Sequence, residues 1–515
     1  MFLGLDASTQ SLSAILIDPA EGTILFDESI NFGAHFPQYQ APNGFIENGN
    51  ECHTSPLMWL DALDLLFDKL SQSGLDLTKI EAITGAGQQH ATVYLNAKFP
   101  STLATLSVEH SLSDQLAPTL SREFSPIWMD SSTIEQCEEI TQAIGSSEKV
   151  VSISGSTATP RFSGPQIRKF YQTQSENYAN THRIHLNSSF FASVLAGADA
   201  PIDYGDGAGM NLMDLSAQDW STPLVEATAP GLHDKLPALT AAGHCFGSLS
   251  PYFAEKYGLS NTCKILTWTG DNPASLVGMG AAQPGKLVVS LGTSDTLFAA
   301  LESPLTDPNG FGHVFGNPLG GYMSLICFSN GSLAREKLKE SCQIDWDTFA
   351  ATPTQPFGND GKLAAPLYVD EITPRLKAQG LQTNHWDLTT ADTHTKIRAL
   401  LEGQFGNMRL RARWMQLQAK NLLVTGGASR NQAIRQTLAN TFQCQVQGLD
   451  VSSSVGLGAA IIASVHAGYA YTELIAQFCS PSPEVTTPEA TAIELEKALL
   501  SFEQFQQELA HSLAY

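Results

Sequence analysis

The sequence is short of basic residues. Lys and Arg together number 28 against 51 Asp and Glu, which gives a formal net charge of -23 over 515 residues. A protein with this excess of negative charge repels the phosphates of nucleic acid and of anionic membrane surfaces. We therefore expect neither nucleic acid nor a membrane among its partners.

Paired cysteines and long apolar runs are also missing. The eight cysteines are scattered, without the close spacing that indicates a zinc site or a redox dithiol. The apolar run at 457–470 is shorter than the roughly 20 residues of a membrane span, and no basic region precedes the first apolar strand, as it would in a signal peptide. Reduced, buried thiols are typical of the cytosol, so these absences favour a cytoplasmic protein.

The common nucleotide-binding motifs are absent too. Neither a Walker GxxxxGK[ST] loop nor a protein-kinase HRD set is found where it could serve. If the chain handles phosphate groups, it must do so with another arrangement of residues.

The length predicts more than one domain, because a chain of this size exceeds a single hydrophobic core. The residue pattern changes around 243–250, which indicates a domain boundary. We therefore expect an N-terminal domain over 1–245 and a C-terminal domain over 246–515. A spacer rich in Pro, Ser and Thr leads to an acidic amphipathic helix at 489–512, which should dock on a domain. Residues 97–125 carry little periodic signal and predict a surface insertion.

Asp271 lies where a predicted strand ends and a helix begins. The apolar and β-branched residues at 265–269 predict a short buried strand, while Asn272 and Pro273 are typical of a helix cap and a first helical position. Ligands collect at the carboxyl ends of strands in open α/β sheets, so an acid at this point is well placed to meet a substrate. Taken alone, however, the stretch favours an ordinary cap, since Asp, Asn and Pro are common in turns.

Two other stretches share one layout, an apolar strand, a small polar turn and a second strand. They span 1–18 and 286–300 and indicate a weak internal repeat of two related halves, although two short hairpins can also look alike by chance. A third stretch, 421–440, has a strand, a Gly-Gly turn and a helix. Backbone amides and short hydroxyls at such turns can approach phosphate oxygens closely. A nucleotide phosphotransferase is therefore predicted, with the carboxylate of Asp6 holding Mg²⁺ through water.

A series of motifs indicates the family to which the predicted phosphotransferase belongs. In chain order they are LGLDASTQS, GAGQQHATVY, WMDSST, RFSGPQI, residues 201–212, TGDNPASL, SLGTSDTLF, CFSNGSLAREK, EITP and TGGASRN. With them, nearly the whole chain resembles the FGGY carbohydrate kinases. The resemblance implies an α/β fold of two actin-like (ribonuclease H-like) domains, with sugar and nucleotide in an interdomain cleft. It also implies that a monomer or homodimer uses ATP and Mg²⁺ to phosphorylate the 5-hydroxyl of D-xylulose.

The resemblance assigns roles to individual residues. Asp271 matches the family's catalytic base, and an ordinary aspartate pKa near ~3.9 would leave it ionised. The residues that match sugar ligands are Gln89, His90, Arg161, Asp271 and Asn272. Those that match phosphate loops are Asp6, Ser8, Thr9, Gly292, Thr293 and Ser294. Those that match the adenosine site are Gly426, Gly427, Asn431 and Trp346, the last by stacking on adenine.

Each assignment has a plainer alternative. His90 fits a satisfied turn histidine, Arg161 a surface ion-pair partner and Trp346 a core residue. Asp206, in the glycine-rich loop, fits a second sugar contact, but an aspartate that forms a turn is the favoured interpretation. The basic residues Arg335, Lys337 and Lys339 fit a solvated helix face.

The substrate also has alternatives. Ala91 stands where the family usually has Gly after the histidine, which bears on the preference among ketoses. Ribulose, gluconate or glycerol is the alternative substrate within the family, and an actin-like nucleotide-dependent scaffold or sensor is the alternative of another class.

Overall fold

The computed structural model describes residues 1–417, 419–449 and 453–513. By their contacts the residues divide into two units. Unit 1 comprises Met1–Ala282, Val314–Met323 and Ser453–Cys479, and unit 2 comprises Gln283–His313, Ser324–Ser452 and Ser480–Tyr515.

The strands are distributed over the whole chain. They are β1 (Phe2–Ala7), β2 (Ser11–Asp18), β3 (Thr23–Asn31), β4 (Ile46–Asn48), β5 (Glu51–Thr54), β6 (Ala82–Gly87), β7 (Thr92–Asn96), β8 (Ser125–Pro126), β9 (Thr181–Leu186), β10 (Ile202–Asp203), β11 (Met213–Asp214), β12 (Asp219–Trp220), β13 (Leu239–Thr240), β14 (Cys245–Ser248), β15 (Lys264–Leu266), β16 (Thr269–Gly270), β17 (Lys286–Leu291), β18 (Asp295–Leu301), β19 (His313–Gly316), β20 (Tyr322–Phe328), β21 (Ala364–Leu367), β22 (Glu371–Ile372), β23 (Arg375–Leu376), β24 (Gly380–Thr383), β25 (Asn421–Thr425), β26 (Gln445–Gly448) and β27 (Val485–Thr486).

The helices lie between and after these strands, singly or in runs. They are α1 (Phe32–His35), α2 (Pro56–Ser71), α3 (Phe99–Leu103), α4 (Leu112–Leu116), α5 (Ile134–Ile144), α6 (Ser147–Ser154), α7 (Ser163–Thr173), α8 (Ser175–Asn180), α9 (Asn187–Ala196), α10 (Tyr204–Ala208), α11 (Thr222–Thr228), α12 (Pro251–Tyr257), α13 (Asp271–Gly278), α14 (Ser332–Cys342), α15 (Trp346–Ala350), α16 (Thr393–Arg411), α17 (Gln432–Phe442), α18 (Ser454–His466), α19 (Tyr471–Phe478) and α20 (Ala492–Leu513).

Unit 1 is built on a mixed sheet with the strand order β14-β15-β6-β1-β2-β3, in which β16 also pairs with β6. β1 pairs antiparallel with β2 and parallel with β6. Its apolar residues Phe2, Leu3, Leu5 and Ala7 are all fully buried, because a central strand covered on both faces needs apolar side chains on both. Because β1 and β6 run parallel, their carboxyl ends lie at the same edge of this sheet.

Unit 2 repeats the arrangement. β17 pairs antiparallel with β18 and parallel with β25, as β1 does with β2 and β6. The turns at 8–10 and 292–294 each join the two strands of a hairpin. The prediction of two similar hairpins is confirmed. The first strand of each hairpin also pairs with a parallel strand, and a chance similarity of two short sequences does not explain this shared pairing.

The helices α13 and α18 of unit 1 pack with their backbones almost in contact. A Cβ added at Gly278 would lie 1.9 Å from the Ser454 carbonyl oxygen, and one at Gly458 would lie 1.9 Å from that of Ala274. The same helix α18 approaches β1, where a Cβ at Gly4 would lie 2.1 Å from the Gly456 oxygen. Glycine at these positions allows α18 to pack closely against both β1 and α13, the helix that begins at Asp271.

The chain divides at Ala282 rather than at the expected 245–246. Residues 245–270 stay in unit 1 because β15 and β16 pair parallel with β6, and β14 pairs with β15. Asp271 therefore belongs to unit 1, although the expected domain limits put it in the C-terminal domain. The change of residue pattern near 245 marks an edge strand of one sheet.

The expectation of a surface insertion at 97–125 is wrong. Phe99 and Leu103 in α3, and Leu112 and Leu116 in α4, are buried in the main hydrophobic core of unit 1. Each of these helices has only five residues, too few to show a helical period in the sequence.

The C-terminal amphipathic helix, expected over 489–512, runs from Ala492 to Leu513. It docks on unit 2, where its buried residues Leu499, Phe502 and Phe505 join apolar clusters with Phe357 and Leu363. Among the helices of the described residues, none has the length and apolar character needed to cross a membrane.

Candidate active site

Asp271 is the first residue of α13 and directly follows β16, as predicted. The cap is Gly270 and not Asn272, which lies one position inside the helix. The Oδ1 atom of Asp271 accepts hydrogen bonds from the Asn272 backbone amide at 2.8 Å and from the Asn272 side-chain amide at 3.0 Å. The carboxylate is thus held at a helix N-terminus, where negative charge is favoured.

Asn272 connects this helix to the segment after β6. Its Nδ2 atom also donates to Gln89 Oε1 at 2.9 Å. The backbone at Gly270 runs so close to Gln89 that an added Cβ would lie 2.5 Å from Gln89 Cγ. Glycine is therefore required at 270, and three of the predicted sugar ligands, Gln89, Asp271 and Asn272, form one hydrogen-bonded group.

His90 and Arg161 share one aromatic neighbour in unit 1. The imidazole of His90 stacks on Phe162 with ring centroids 4.0 Å apart, and the Arg161 guanidinium lies 5.8 Å from the same ring. His90 Nδ1 is 2.7 Å from the Gly209 carbonyl oxygen. Because a carbonyl oxygen only accepts, Nδ1 carries a hydrogen, and Nε2 of the neutral ring is then an acceptor. His90 and Arg161 therefore lie together. The backbone φ of His90 is 74°, which is unusual for a residue other than glycine.

Asp6 lies at the carboxyl end of β1. Its Oδ1 atom is buried and has no hydrogen-bond partner among the described residues. Burial, together with the negative charge of Asp271, raises the pKa of Asp6 to about 7. A hard, unsatisfied carboxylate oxygen of this kind suits a divalent cation such as Mg²⁺, which would also offset the charge.

The turn after β1 carries the other predicted phosphate contacts of unit 1. Ser8 closes the turn through its amide and its hydroxyl, each 2.9 Å from the Ser11 carbonyl oxygen. Thr9 Oγ1 donates to Gln88 Oε1 at 3.3 Å and accepts from the indole of Trp128 at 2.9 Å. The contact with Trp128 was not predicted, since 119 residues separate it from Thr9.

Two further buried acids, Asp203 and Asp206, lie near the hydrogen-bonded group of Gln89, Asp271 and Asn272. Asp203 accepts hydrogen bonds from the amides of Gly205 and Asp206 and from Thr269. Asp206 accepts one from Ser188, while its Oδ1 atom has no partner in the described part of the chain. Burial, with the negative charge of Asp203, raises the pKa of Asp206 well above its usual range. The expectation of a turn residue at 206 is wrong, because Asp206 lies in the first turn of α10 and is buried. Only the spacing of two acids in a glycine-rich segment indicated such a site.

The pKa of Asp271 is raised as well. Burial raises it to about 6, although the amides of Asn272 and Gln89 act in the opposite direction. The expectation of an ordinary aspartate pKa is therefore wrong, because the sequence does not show that the carboxyl is withdrawn from water. Its pKa now lies in the range where a general base is most effective near neutral pH.

In unit 2, Gly292, Thr293 and Ser294 are exposed at the turn between β17 and β18. The carbonyl oxygen of Gly292 accepts a hydrogen bond from the Ser332 amide at 2.8 Å, and that of Thr293 accepts one from the Gly331 amide at 3.2 Å. The start of α14 thus holds the turn from one side.

Three of the four predicted adenosine residues, Trp346, Gly427 and Asn431, line one cavity of about 520 Å³ in unit 2. Trp346 is 42% exposed, so the alternative of a core residue is wrong. Asn431 also caps α17, accepting from the Ile434 amide at 3.2 Å. Gly426 lies just before Gly427 with a φ of 93°, and an added Cβ would be 2.2 Å from the Leu291 oxygen.

One of the basic residues expected on a solvated helix face is buried. Arg335 is 0% exposed and forms a bidentate ion pair with Asp295, whereas Lys337 is exposed. The expectation is therefore wrong for Arg335. Forty residues separate the two partners, so no local pattern could have indicated the pair.

Comparisons with known proteins identify the family. Residues 125–278 match the N-terminal domain of the FGGY family of carbohydrate kinases, and residues 287–467 match its C-terminal domain. The xylulose kinase of Rattus norvegicus is 38% identical over 513 residues, which cover 97% of this chain and 95% of the rat protein. Xylulose kinase 2 of Arabidopsis thaliana is 39% identical, over 90% of this chain and 87% of the plant protein.

A solved structure supports the fold. The crystal structure of a xylulose kinase from Rhodospirillum rubrum matches with a TM-score of 0.81 at 18% identity, covering 99% of this chain and 98% of that one. The predicted α/β fold of the actin-like type, with two domains, is confirmed.

Proposed function

Because the chain belongs to the FGGY family of carbohydrate kinases, we propose that it transfers the γ-phosphoryl group of ATP to the 5-hydroxyl of D-xylulose, giving D-xylulose 5-phosphate and ADP. The full-length relatives named xylulose kinase support this substrate. The observation that carries the proposal is Asp271 at the start of α13, a buried carboxylate tied through Asn272 to Gln89.

The sugar is held by unit 1. Asp271 accepts a hydrogen bond from the 5-hydroxyl, orients its oxygen for attack and takes its proton. Asn272, Gln89, His90 and Arg161 bind the remaining oxygens, His90 through Nε2. The transition state of phosphoryl transfer is loose, so the position of Asp271 contributes more than its basicity.

The nucleotide is held by unit 2. Trp346 stacks on adenine in the cavity that Gly427 and Asn431 also line, and Gly426 lets the chain turn beside it. The amides of the turn at 292–294 bind phosphate oxygens, as do Ser8 and Thr9 in the corresponding turn of unit 1. Short side chains at both turns allow this approach.

Asp6 would hold Mg²⁺ through water. Its buried, unpartnered Oδ1 atom fits the ion, which commonly takes one or two carboxylates together with substrate phosphates. In the described ranges no group of three or more His, Cys, Asp or Glu residues is placed to hold a metal ion. Bound Mg²⁺ would neutralise charge on the phosphates.

A panel of sugars tests the substrate. ADP release should be fastest with D-xylulose and slower with D-ribulose, gluconate and glycerol. Fastest release with another sugar would move the protein to a different substrate in the same family. ATP hydrolysis that no sugar accelerates would favour the scaffold or sensor alternative.

We also propose a cytoplasmic location. The eight cysteines are all free thiols, which is typical of a reducing compartment. The expectation of a monomer or homodimer stays a prediction.

The acid limb of the pH profile should report Asp271. Since its pKa is raised to about 6, kcat/KM should fall by about tenfold per pH unit below that value as the base takes up a proton. Initial rates at limiting D-xylulose between about pH 5 and 8 measure this. A profile that stays flat down to pH 5 would mean that the working group has an ordinary aspartate pKa.

Replacing Trp346 with Ala should weaken ATP binding. Stacking of a base on an aromatic ring contributes ~1–3 kcal/mol, so the KM for ATP should rise at least about fivefold, with the KM for D-xylulose unchanged. Trp346→Phe keeps an aromatic face and should stay near the wild type. An unchanged KM for ATP in Trp346→Ala would remove this residue from the adenine site.

A further inference from the structure

The turn at 292–294 is exposed, yet a fully buried ion pair lies directly beneath it. Asp295 follows Ser294 and is 2% exposed, and Arg335 is 0% exposed. Each guanidinium nitrogen, Nη1 and Nη2, lies 2.8 Å from a separate oxygen of the Asp295 carboxylate. Burying two charges is costly unless their geometry is good, as it is in this bidentate pair.

The pair is joined to the segment that begins α14. Arg335 Nη2 donates to the Ser332 hydroxyl at 2.9 Å, and Nη1 donates to Gln404 Oε1 at 3.2 Å. Gln404 in turn donates through Nε2 to the carbonyl oxygens of Asn330, at 2.6 Å, and Gly331, at 3.1 Å. A Cβ at Gly331 would lie 2.6 Å from Asp295 Oδ1, so this segment has little room to shift against Asp295.

That segment in turn fixes the peptide planes of the turn. The amides of Ser332 and Gly331 donate to the carbonyl oxygens of Gly292 and Thr293. In a trans peptide the carbonyl and the following N–H point in opposite directions. The N–H groups of Thr293 and Ser294 are therefore directed away from α14, which is the orientation that a phosphate group requires of a backbone anion site.

We propose that the Asp295–Arg335 pair is a positioning device for nucleotide phosphates: it holds the start of α14 against the turn so that the Thr293 and Ser294 amides stay aligned for the phosphate oxygens of ATP and ADP. Neither residue touches the nucleotide. The inference rests on the proposed function, because it takes the turn at 292–294 to be a phosphate loop.

The affinities for ADP and adenosine separate this role from a purely structural one. Adenosine has the base and ribose without phosphate, so a displaced phosphate loop should weaken ADP and leave adenosine unchanged. Isothermal titration calorimetry on the full chain measures both. In Arg335→Lys, which keeps the charge but loses the bidentate geometry, and in Asp295→Asn, we expect the Kd for ADP to rise about tenfold, with the Kd for adenosine near wild type.

A second buried pair in unit 2 supplies the matched control. Arg398 Nε lies 3.9 Å from Glu402 Oε1, with side chains 13% and 4% exposed, and neither residue hydrogen-bonds to the turn at 292–294 among the described contacts. Arg398→Lys should leave both affinities unchanged. Ser332→Ala removes only one partner of Arg335 and should give a smaller change in the same direction, which provides a test if the stronger variants fail to fold.

Equal weakening of ADP and adenosine in Arg335→Lys, or no weakening of either, would overturn the positioning role. The wild type distinguishes this from a failure of the proposed function. A wild type that binds ADP but does not phosphorylate D-xylulose would contradict the proposed substrate and leave the ADP-to-adenosine comparison intact.

Discussion

Replacing Asp271 with Asn is expected to lower kcat by about 10²–10⁴-fold, the contribution of a positioned general base. Asn keeps the size of the side chain and can still bind a hydroxyl, but it cannot take the proton. The Kd for D-xylulose should therefore remain near the wild-type value. Steady-state ADP release together with calorimetric titration of the sugar measures both quantities.

A second buried carboxyl gives the matched control for this variant. Asp206 lies in the same unit, close enough to Gly270 that an added Cβ would be 2.7 Å from its Oδ1 atom. Burial and the negative charge of Asp203 raise the pKa of Asp206 well above the usual range, which favours its neutral form, and Asn is a neutral side chain of the same size. Asp206→Asn should keep most of the activity. Near-normal turnover in Asp271→Asn would remove Asp271 from the chemistry.

Replacing Gly458 with Ala is expected to destabilise unit 1 strongly. The new Cβ would lie 1.9 Å from the backbone oxygen of Ala274 in α13, and a backbone cannot yield as a flexible side chain does. Overpacking of a core costs ~1–3 kcal/mol and occasionally more, and we expect the upper end of that range. The thermal unfolding midpoint should fall, and kcat should fall with it because α13 carries Asp271.

Gly456 in the same helix is the control for this variant. A Cβ there would meet only the side chain of Ile15 at 3.5 Å and 3.6 Å, with the Gly4 oxygen at 3.8 Å, which are ordinary van der Waals distances. Since Ala favours a helix over Gly by about 1 kcal/mol, Gly456→Ala should be neutral or slightly stabilising. Equal midpoints for the two variants would show that α13 and α18 are not packed as closely as described.

The sequence predicted the parts of the site that depend on local pattern. The strand before Asp271, the helix after it and the two hairpin turns all follow from alternation and turn chemistry over a few residues. The resemblance then supplied the roles of His90 and Arg161, and the structure brings both to Phe162.

The rest depends on contacts that no local pattern records. Asp295 and Arg335 are forty residues apart in the sequence. The sequence therefore does not show that Arg335 is buried while its neighbour Lys337 is exposed. The raised pKa of Asp271 follows from burial, which tertiary packing decides. The limit of unit 1 is set by the pairing of β16 with β6, and strands that are distant in sequence find their partners only in the folded sheet.

The identity of the product tests the central claim most directly. Wild-type protein, ATP, Mg²⁺ and D-xylulose labelled with ¹³C at position 5 are incubated, and the product is observed by ¹³C and ³¹P NMR. Coupling of the labelled carbon to phosphorus is predicted, with the signal appearing far more slowly in Asp271→Asn. Phosphorus coupled to another carbon, or no phosphorylated sugar from active ATP-binding protein, would contradict the account.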